Sequence, residues 1–213
     1  MYLSRVEIDS NNHQNLKKLS HLGAYHHWVE SCFPTEIKLG ERQRHLWRID
    51  PLNGRQYLLL LSNEKPALDP FEQFGIKGSA QIKNYQPFLN KLVDEQIMRF
   101  RLTANPTYRE AASGKVFPHI TVEQQKSWLL KQSVKSGFKL ITGTNDELIY
   151  DIVSRDWPIL YHKRRIRLSR VTFEGILQIT NIDQFRKALL TGIGREKAFG
   201  MGLLTVIPIG KAI

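Results

Sequence analysis

The residues of this chain best placed to do chemistry are a histidine on an apolar stripe and two clusters of basic side chains. Leu22, His26, Val29 and Phe33 fall at i, i+4, i+7 and i+11, the inward face of an amphipathic helix. His26 holds a place on that face where an apolar residue is the ordinary occupant, while His27 lies about 100° further round. An imidazole on a packed face has a proton affinity that burial and neighbours can tune. It can act as a general acid or base, or it can be a hydrogen-bonded core histidine, and the wheel leaves both readings open. Glu30, one turn later, either pairs with His26 or faces solvent.

The basic clusters point to phosphate. Residues 161–170 include His162, Lys163, Arg164, Arg165, Arg167 and Arg170, with three consecutive cations that suit a hairpin tip. Arg165 and Arg167 share one face of a strand by the two-residue period. A basic β-ribbon of this kind can track nucleic-acid phosphates, or be a solvated strand face. Near the C-terminus Gly192, Gly194, Gly200 and Gly202 surround Arg195 and Lys197. Such a loop can bring backbone N–H groups against an anion, or be a tight turn from a helix into the last strand. Lys115 could extend the same basic surface.

Several chemistries are excluded by spacing. A dinucleotide fingerprint needs a glycine where Lys197 stands, and no Gly-Lys-Ser/Thr nucleotide loop occurs. His21, His26 and His27 are five and six residues apart from first to last, which is not a helical ligand spacing, and Cys32 is the only cysteine. No structural metal and no cofactor are therefore expected. Neither a nucleophile elbow nor a carboxylate cluster for magnesium is present. What remains open is metal-free RNA cleavage, in which the 2′-hydroxyl is the nucleophile and the protein supplies an acid or base and positive charge.

Composition agrees with such a partner. Over 213 residues, 31 Lys and Arg against 20 Asp and Glu leave a formal charge of +11, and 41% apolar content is that of a globular protein. No apolar run reaches the roughly 20 residues that span a bilayer, and Met1–Val6 reads as a strand and not a signal peptide. A basic amphipathic helix for a membrane surface is not found. The lone cysteine suits a reducing compartment, so a cytoplasmic protein is expected.

The elements that would carry these residues alternate between strand and helix. Strands are expected over Tyr2–Asp9, His45–Asp50, Tyr57–Ser62 and Gln96–Thr103. Helices are expected over Asn11–Ser20 and from about Ala24 to before Pro34, with loop over Pro66–Gly78. A linker then runs over 107–120. Thr121–Ser136 is a helix with a capping-box start and a stop at Gly137. Strands follow between Ile159 and Thr180 with a kink at Gly175, then a helix capped by Asn181–Asp183 and a last strand at Leu203–Ile209. The expected fold is α+β, two tandem ferredoxin-like (RRM-like) domains, 1–106 with the histidine and 121–213 with the basic hairpin and glycine loop.

With those residues in place, the chain resembles the CasE-type CRISPR precursor-RNA endoribonucleases, the processing subunits of type I-E Cascade complexes. The resemblance is carried by Met1–Val6, a histidine seven residues before Phe33-Pro34, Leu46–Arg48 and Phe100–Pro106 ahead of Gly114-Lys115. It continues through Trp128-Leu129, Phe173–Gly175 and the glycine loop from Gly192 to Leu204. It implies cleavage at the base of a repeat stem-loop without metal, leaving a 2′,3′-cyclic phosphate and a 5′-hydroxyl, and retention of the cut hairpin among other Cascade subunits. The family's catalytic histidine falls on His26. The family often has a tyrosine three residues earlier, where this chain has Gly23, and Tyr25 is the candidate to replace it. The segment around Lys163–Arg167 corresponds to one that contacts the RNA stem. A non-catalytic RNA-binding subunit of a ribonucleoprotein is the alternative.

Overall fold

The computed structural model describes residues 1–145, 147–162 and 164–209, with the backbone alone described at 161, 162, 164 and 165. The chain divides into two units. Unit 1 comprises 1–90, 159–166 and 197–200, and unit 2 the remainder.

Unit 1 opens with β1 (Tyr2–Glu7), then α1 (His13–Lys18), α2 (Leu22–Ser31) and α3 (Pro34–Leu39). Next come β2 (Leu46–Leu52), β3 (Arg55–Ser62), α4 (Leu68–Phe71), β4 (Gln81–Asn84) and α5 (Gln86–Asn90). The sheet order is β2-β3-β1-β4, and every neighbouring pair is antiparallel. That is the 4-1-3-2 order of a ferredoxin-like β-α-β-β-α-β unit. The period-2 pattern buries Val6 and Ile8 of the first strand segment against Leu58 and Leu60 of β3. Asn53 and Gly54, both at positive φ, close the two-residue turn between Leu52 and Arg55, as a hairpin with right-twisted strands requires. Pro34 does not merely end a helix. It begins α3, where a missing N–H costs nothing, after Phe33 has broken the run from α2.

Unit 2 repeats the plan. Its strands and helices are β5 (Ile97–Ala104), β6 (Thr107–Arg109), β7 (Val116–Pro118), α6 (Val122–Lys135), β8 (Phe138–Leu140) and β9 (Tyr150–Asp156). The hairpin β10 (Ile159–His162) and β11 (Arg164–Arg167) follows, most of it belonging with unit 1, and then β12 (Arg170–Ile179), α7 (Ile182–Thr191) and β13 (Leu204–Pro208). The order β13-β5-β12-β8 is again 4-1-3-2, with β9 pairing along β12 beyond the end of β8. Phe100, Phe138, Phe173, Phe185 and Trp128 fill this unit's core. The capping box of α6 forms as its sequence predicts, Thr121 and Gln124 exchanging side-chain and backbone hydrogen bonds.

Three expectations are corrected. Gln96–Thr103 does not close the first unit, because β5 pairs with β12 and β13 and is a central strand of the second sheet. The fourth strand of the first sheet is β4, whose sequence Gln-Ile-Lys-Asn carries no apolar alternation because it is an edge strand that is largely exposed. The expected break at 106 lies at 90–91 for the same reason. Finally, the stretch 107–120 holds the β6–β7 hairpin in place of an unstructured linker.

Candidate active site

Helix α2 is anchored at its start by His21, whose Nδ1 accepts the Ala24 N–H at 3.2 Å. Leu22, Trp28 and Val29 are buried along its inner face, and Cys32 and Phe33 continue that face past its end. His26 stands at the margin of the face, half-buried, and lines a cleft of about 310 Å³ with Glu30, Arg42, Gln43, Arg44, His45 and Ala198. Across from it is the 3-10 turn Lys197–Phe199, where the Phe199 ring centroid lies 5.7 Å from that of the imidazole.

Two supports fix this arrangement within unit 1. Trp47 donates its indole N–H to the Ala198 carbonyl at 3.0 Å and stacks on Tyr25 at 5.8 Å between centroids. Gly200, at φ +78°, lies so close to the indole that an added Cβ would stand 2.6 Å from Trp47 Cζ3. On the other side, buried Glu36 accepts the Gln43 N–H at 2.9 Å and pairs with His45 Nε2 at 3.0 Å, while His45 stacks face-on against Phe33.

The electrostatics favour a neutral imidazole. Burial is the main influence lowering the pKa of His26 from 6.5; Glu30 opposes it, and Arg42, His27 and His45 add to it. A neutral histidine can accept a proton, and the cleft around His26 also presents two arginines. Lys197 is likewise shifted down, first by burial and then by Arg44. Among the described residues no three His, Cys, Asp or Glu side chains gather as a ligand group for a metal.

The other expected residues fall in several places. Tyr25 packs on Trp47 and does not line the cleft. Lys197 and Gly200 join His26 in unit 1. Gly192, Gly194, Arg195 and Gly202 belong to unit 2, where Gly194 packs on Trp128 and the Gly202 N–H donates to the Thr103 carbonyl at 2.6 Å. The glycine loop is thus a packed turn as well as a candidate cradle. Lys115 is exposed beside the turn of the β6–β7 hairpin in unit 2. Lys163 and the side chains of Arg164 and Arg165 lie outside the described residues, whereas exposed Arg167 has its guanidinium 5.6 Å from the Trp157 ring centroid. Strand β10 of the basic hairpin contacts α2, the helix of His26. Sequence reasoning missed Arg42, Arg44, Phe199 and the Glu36–His45 pair, and only the Arg-Gln-Arg run was there to suggest them.

A family profile described as CRISPR associated protein matches residues 1–208. The chain belongs to the CRISPR-associated protein family. Its similarity to other members of this CRISPR-associated family extends over the full length. It is 27% identical to the CRISPR-associated endoribonuclease Cse3 of Thermus thermophilus over 214 residues, covering 98% of this chain and all of that one. A structure of Thermus thermophilus Cse3 bound to an RNA representing a pre-cleavage complex superposes with a TM-score of 0.81 at 26% identity, covering 97% of this chain and 98% of that one. A chain of a CRISPR RNA-guided surveillance complex matches at 0.61 and 26%, over 98% of this chain and all of that one. The tandem ferredoxin-like fold is that of these relatives.

Proposed function

We propose that this CRISPR-associated protein is a metal-independent endoribonuclease that cleaves CRISPR precursor RNA at the base of the repeat stem-loop. The observation that carries the reading is His26, half-buried and tuned toward its neutral form, in a cleft walled by Arg42 and Arg44. The 2′-oxygen attacks the adjacent phosphorus as its proton leaves to a base, and the bond from phosphorus to the 5′-oxygen breaks as that oxygen gains a proton. The products are a 2′,3′-cyclic phosphate and a 5′-hydroxyl, so no water is consumed. His26 serves this proton traffic as general acid or base, an effect worth about 10²–10⁴-fold in rate.

Lys115, Lys163, Arg164, Arg165, Arg167, Arg195 and Lys197, with Gly192, Gly194, Gly200 and Gly202, are proposed to hold the RNA. The cut hairpin then stays bound as the chain joins the other subunits of a cytoplasmic Cascade complex. The similarity to Cse3, whose structures hold RNA, supports this assignment. No helix among the described residues is long and apolar enough to cross a membrane.

A second reading, an RNA-binding subunit without catalysis, is favoured by Gly23 and by the packing of Tyr25 on Trp47. One experiment separates the two. A labelled repeat hairpin is incubated in EDTA with wild type and with His26→Ala, beside a hairpin carrying a 2′-deoxy residue at the scissile position. Cleavage by wild type alone, and of the all-ribose RNA alone, is expected. Tight binding of RNA that stays intact would establish the second reading, and equal cutting by His26→Ala would remove His26 from the chemistry.

A further inference from the structure

Helix α3 buries the wrong residue for a surface helix. Its glutamate, Glu36, is 6% exposed, while its apolar Ile37 and Leu39 are 48% and 69% exposed. Burying a carboxylate is costly unless it is paired and hydrogen-bonded. One oxygen of Glu36 meets two partners, the Gln43 backbone N–H at 2.9 Å and His45 Nε2 at 3.0 Å. Its other oxygen and His45 Nδ1 are buried without a hydrogen-bond partner among the described residues. An arrangement only partly satisfied is a poor source of stability, so its effect is better sought in what it holds.

What it holds is the segment from Gly40 to His45, which forms neither helix nor strand. The glutamate grips this strap at 43 and at 45, and the ring of His45, 5% exposed, is clamped on Phe33 with centroids 3.8 Å apart. Arg42 and Arg44 flank Gln43, and both stand in the wall of the cleft that contains His26. Arg42 is further steadied by Glu30, its Nε lying 3.8 Å from the carboxylate. Two guanidinium groups beside a general base form the arrangement that a phosphate gaining charge in its transition state requires.

We propose that Glu36 is a positioning residue whose buried carboxylate fixes the 40–45 strap, so that Arg42 and Arg44 bind the non-bridging oxygens of the scissile phosphate beside His26. This rests on the endoribonuclease reading of the cleft and names the groups that supply its positive charge. Arg42 and Arg44 are exposed, so their replacement leaves folding intact, and Glu36→Gln keeps the volume of the buried side chain.

The test measures single-turnover cleavage of the repeat hairpin in EDTA, together with affinity for the 2′-deoxy hairpin that cannot be cut. Arg42→Ala and Arg44→Ala are each expected to slow cleavage about 10²-fold, the loss typical of one transition-state donor, with a smaller change in affinity. Arg44→Lys restores part of the rate. Glu36→Gln slows cleavage by about 10-fold, within the loss that a misplacement of ~1 Å can cause. A structural role alone would not alter the preference for one phosphorothioate diastereomer at the scissile phosphate. That preference is expected in wild type and reduced in the arginine variants and in Glu36→Gln. If wild type cuts and Arg42→Ala, Arg44→Ala and Glu36→Gln all cut at its rate with its diastereomer preference, the strap has no part in the chemistry. A wild type that binds the hairpin without cutting overturns the endoribonuclease reading itself, and this inference with it.

Discussion

Alanine at Gly200 would strain the loop that faces His26 in two separable ways. The residue sits at φ +78°, and its new Cβ would lie 2.6 Å from Cζ3 and 2.9 Å from Cη2 of Trp47. Left-handed backbone costs a non-glycine residue about 1–2 kcal/mol. Trp47 is buried, bonded to the Ala198 carbonyl and stacked on Tyr25, so its ring has no easy retreat. Overpacking of that kind costs about 1–3 kcal/mol. Together these give a loss of about 2–5 kcal/mol for Gly200→Ala, or roughly 4–20 °C in melting temperature for a chain of this size. Gly40→Ala is the control, since Gly40 has φ +70° and nothing within 4 Å of an added Cβ. It should lose only the backbone share, about 2–8 °C. Thermal unfolding of both variants, followed by circular dichroism, reads the difference. Melting of Gly200→Ala within 2 °C of Gly40→Ala would refute the collision with Trp47 and the rigid seating of the loop with it.

Cleavage through neutral His26 gives a pH–rate profile whose acid limb has its midpoint below 6.5, because burial disfavours the imidazolium. Glu30→Gln removes the neighbour that favours the charged form and moves that midpoint to lower pH; a wild-type midpoint above 6.5 would contradict the effect of burial. RNA affinity should fall steeply as salt rises from low to physiological strength, since phosphate contacts dominate, and a flat titration would count against the basic surface. The Cys32 thiol, buried and pushed up to about 12, should resist alkylation at pH 8 in the native protein and react once the chain is unfolded. Thr121→Ala breaks the α6 capping box and should cost about 1 kcal/mol, seen as a lower melting temperature with the cleavage rate unchanged.

What was legible in the sequence was local. The i, i+4, i+7, i+11 pattern put His26 on the packed face of its helix, where the structure sets it half-buried at the margin, and the Thr121–Gln124 capping box formed where its residues demand it. What was hidden depends on partners remote in the chain. β5 reads as a strand by its own alternation, but which sheet it joins is decided by β12 and β13. β4 is polar because it is an edge, so it gave no periodic signal. Glu36 reads as a surface glutamate on a short helix, and only the folded chain brings His45 and the Gln43 N–H to it.

Trp47 explains how one cleft can be assembled from three stretches so far apart. Its N–H reaches a carbonyl 151 residues away, its ring carries Tyr25 from the helix of His26, and the strap of Arg42 and Arg44 ends two residues before it. The histidine and its facing turn are therefore registered on a buried ring and not on loop conformation. The same geometry accounts for Tyr25. One residue along a helix turns about 100°, so the side chain beside His26 in sequence faces the indole and not the cleft. A residue three positions earlier lies only about 60° from His26 on the wheel, and that place is Gly23. A β-carbon there would come 3.1 Å from Nδ1 of His21, the atom that caps the helix. Position 23 has no hydroxyl and Tyr25 stacks on Trp47, so the proposed site draws its phosphate stabilisation from the cations of the cleft, two of them on the strap that Glu36 holds.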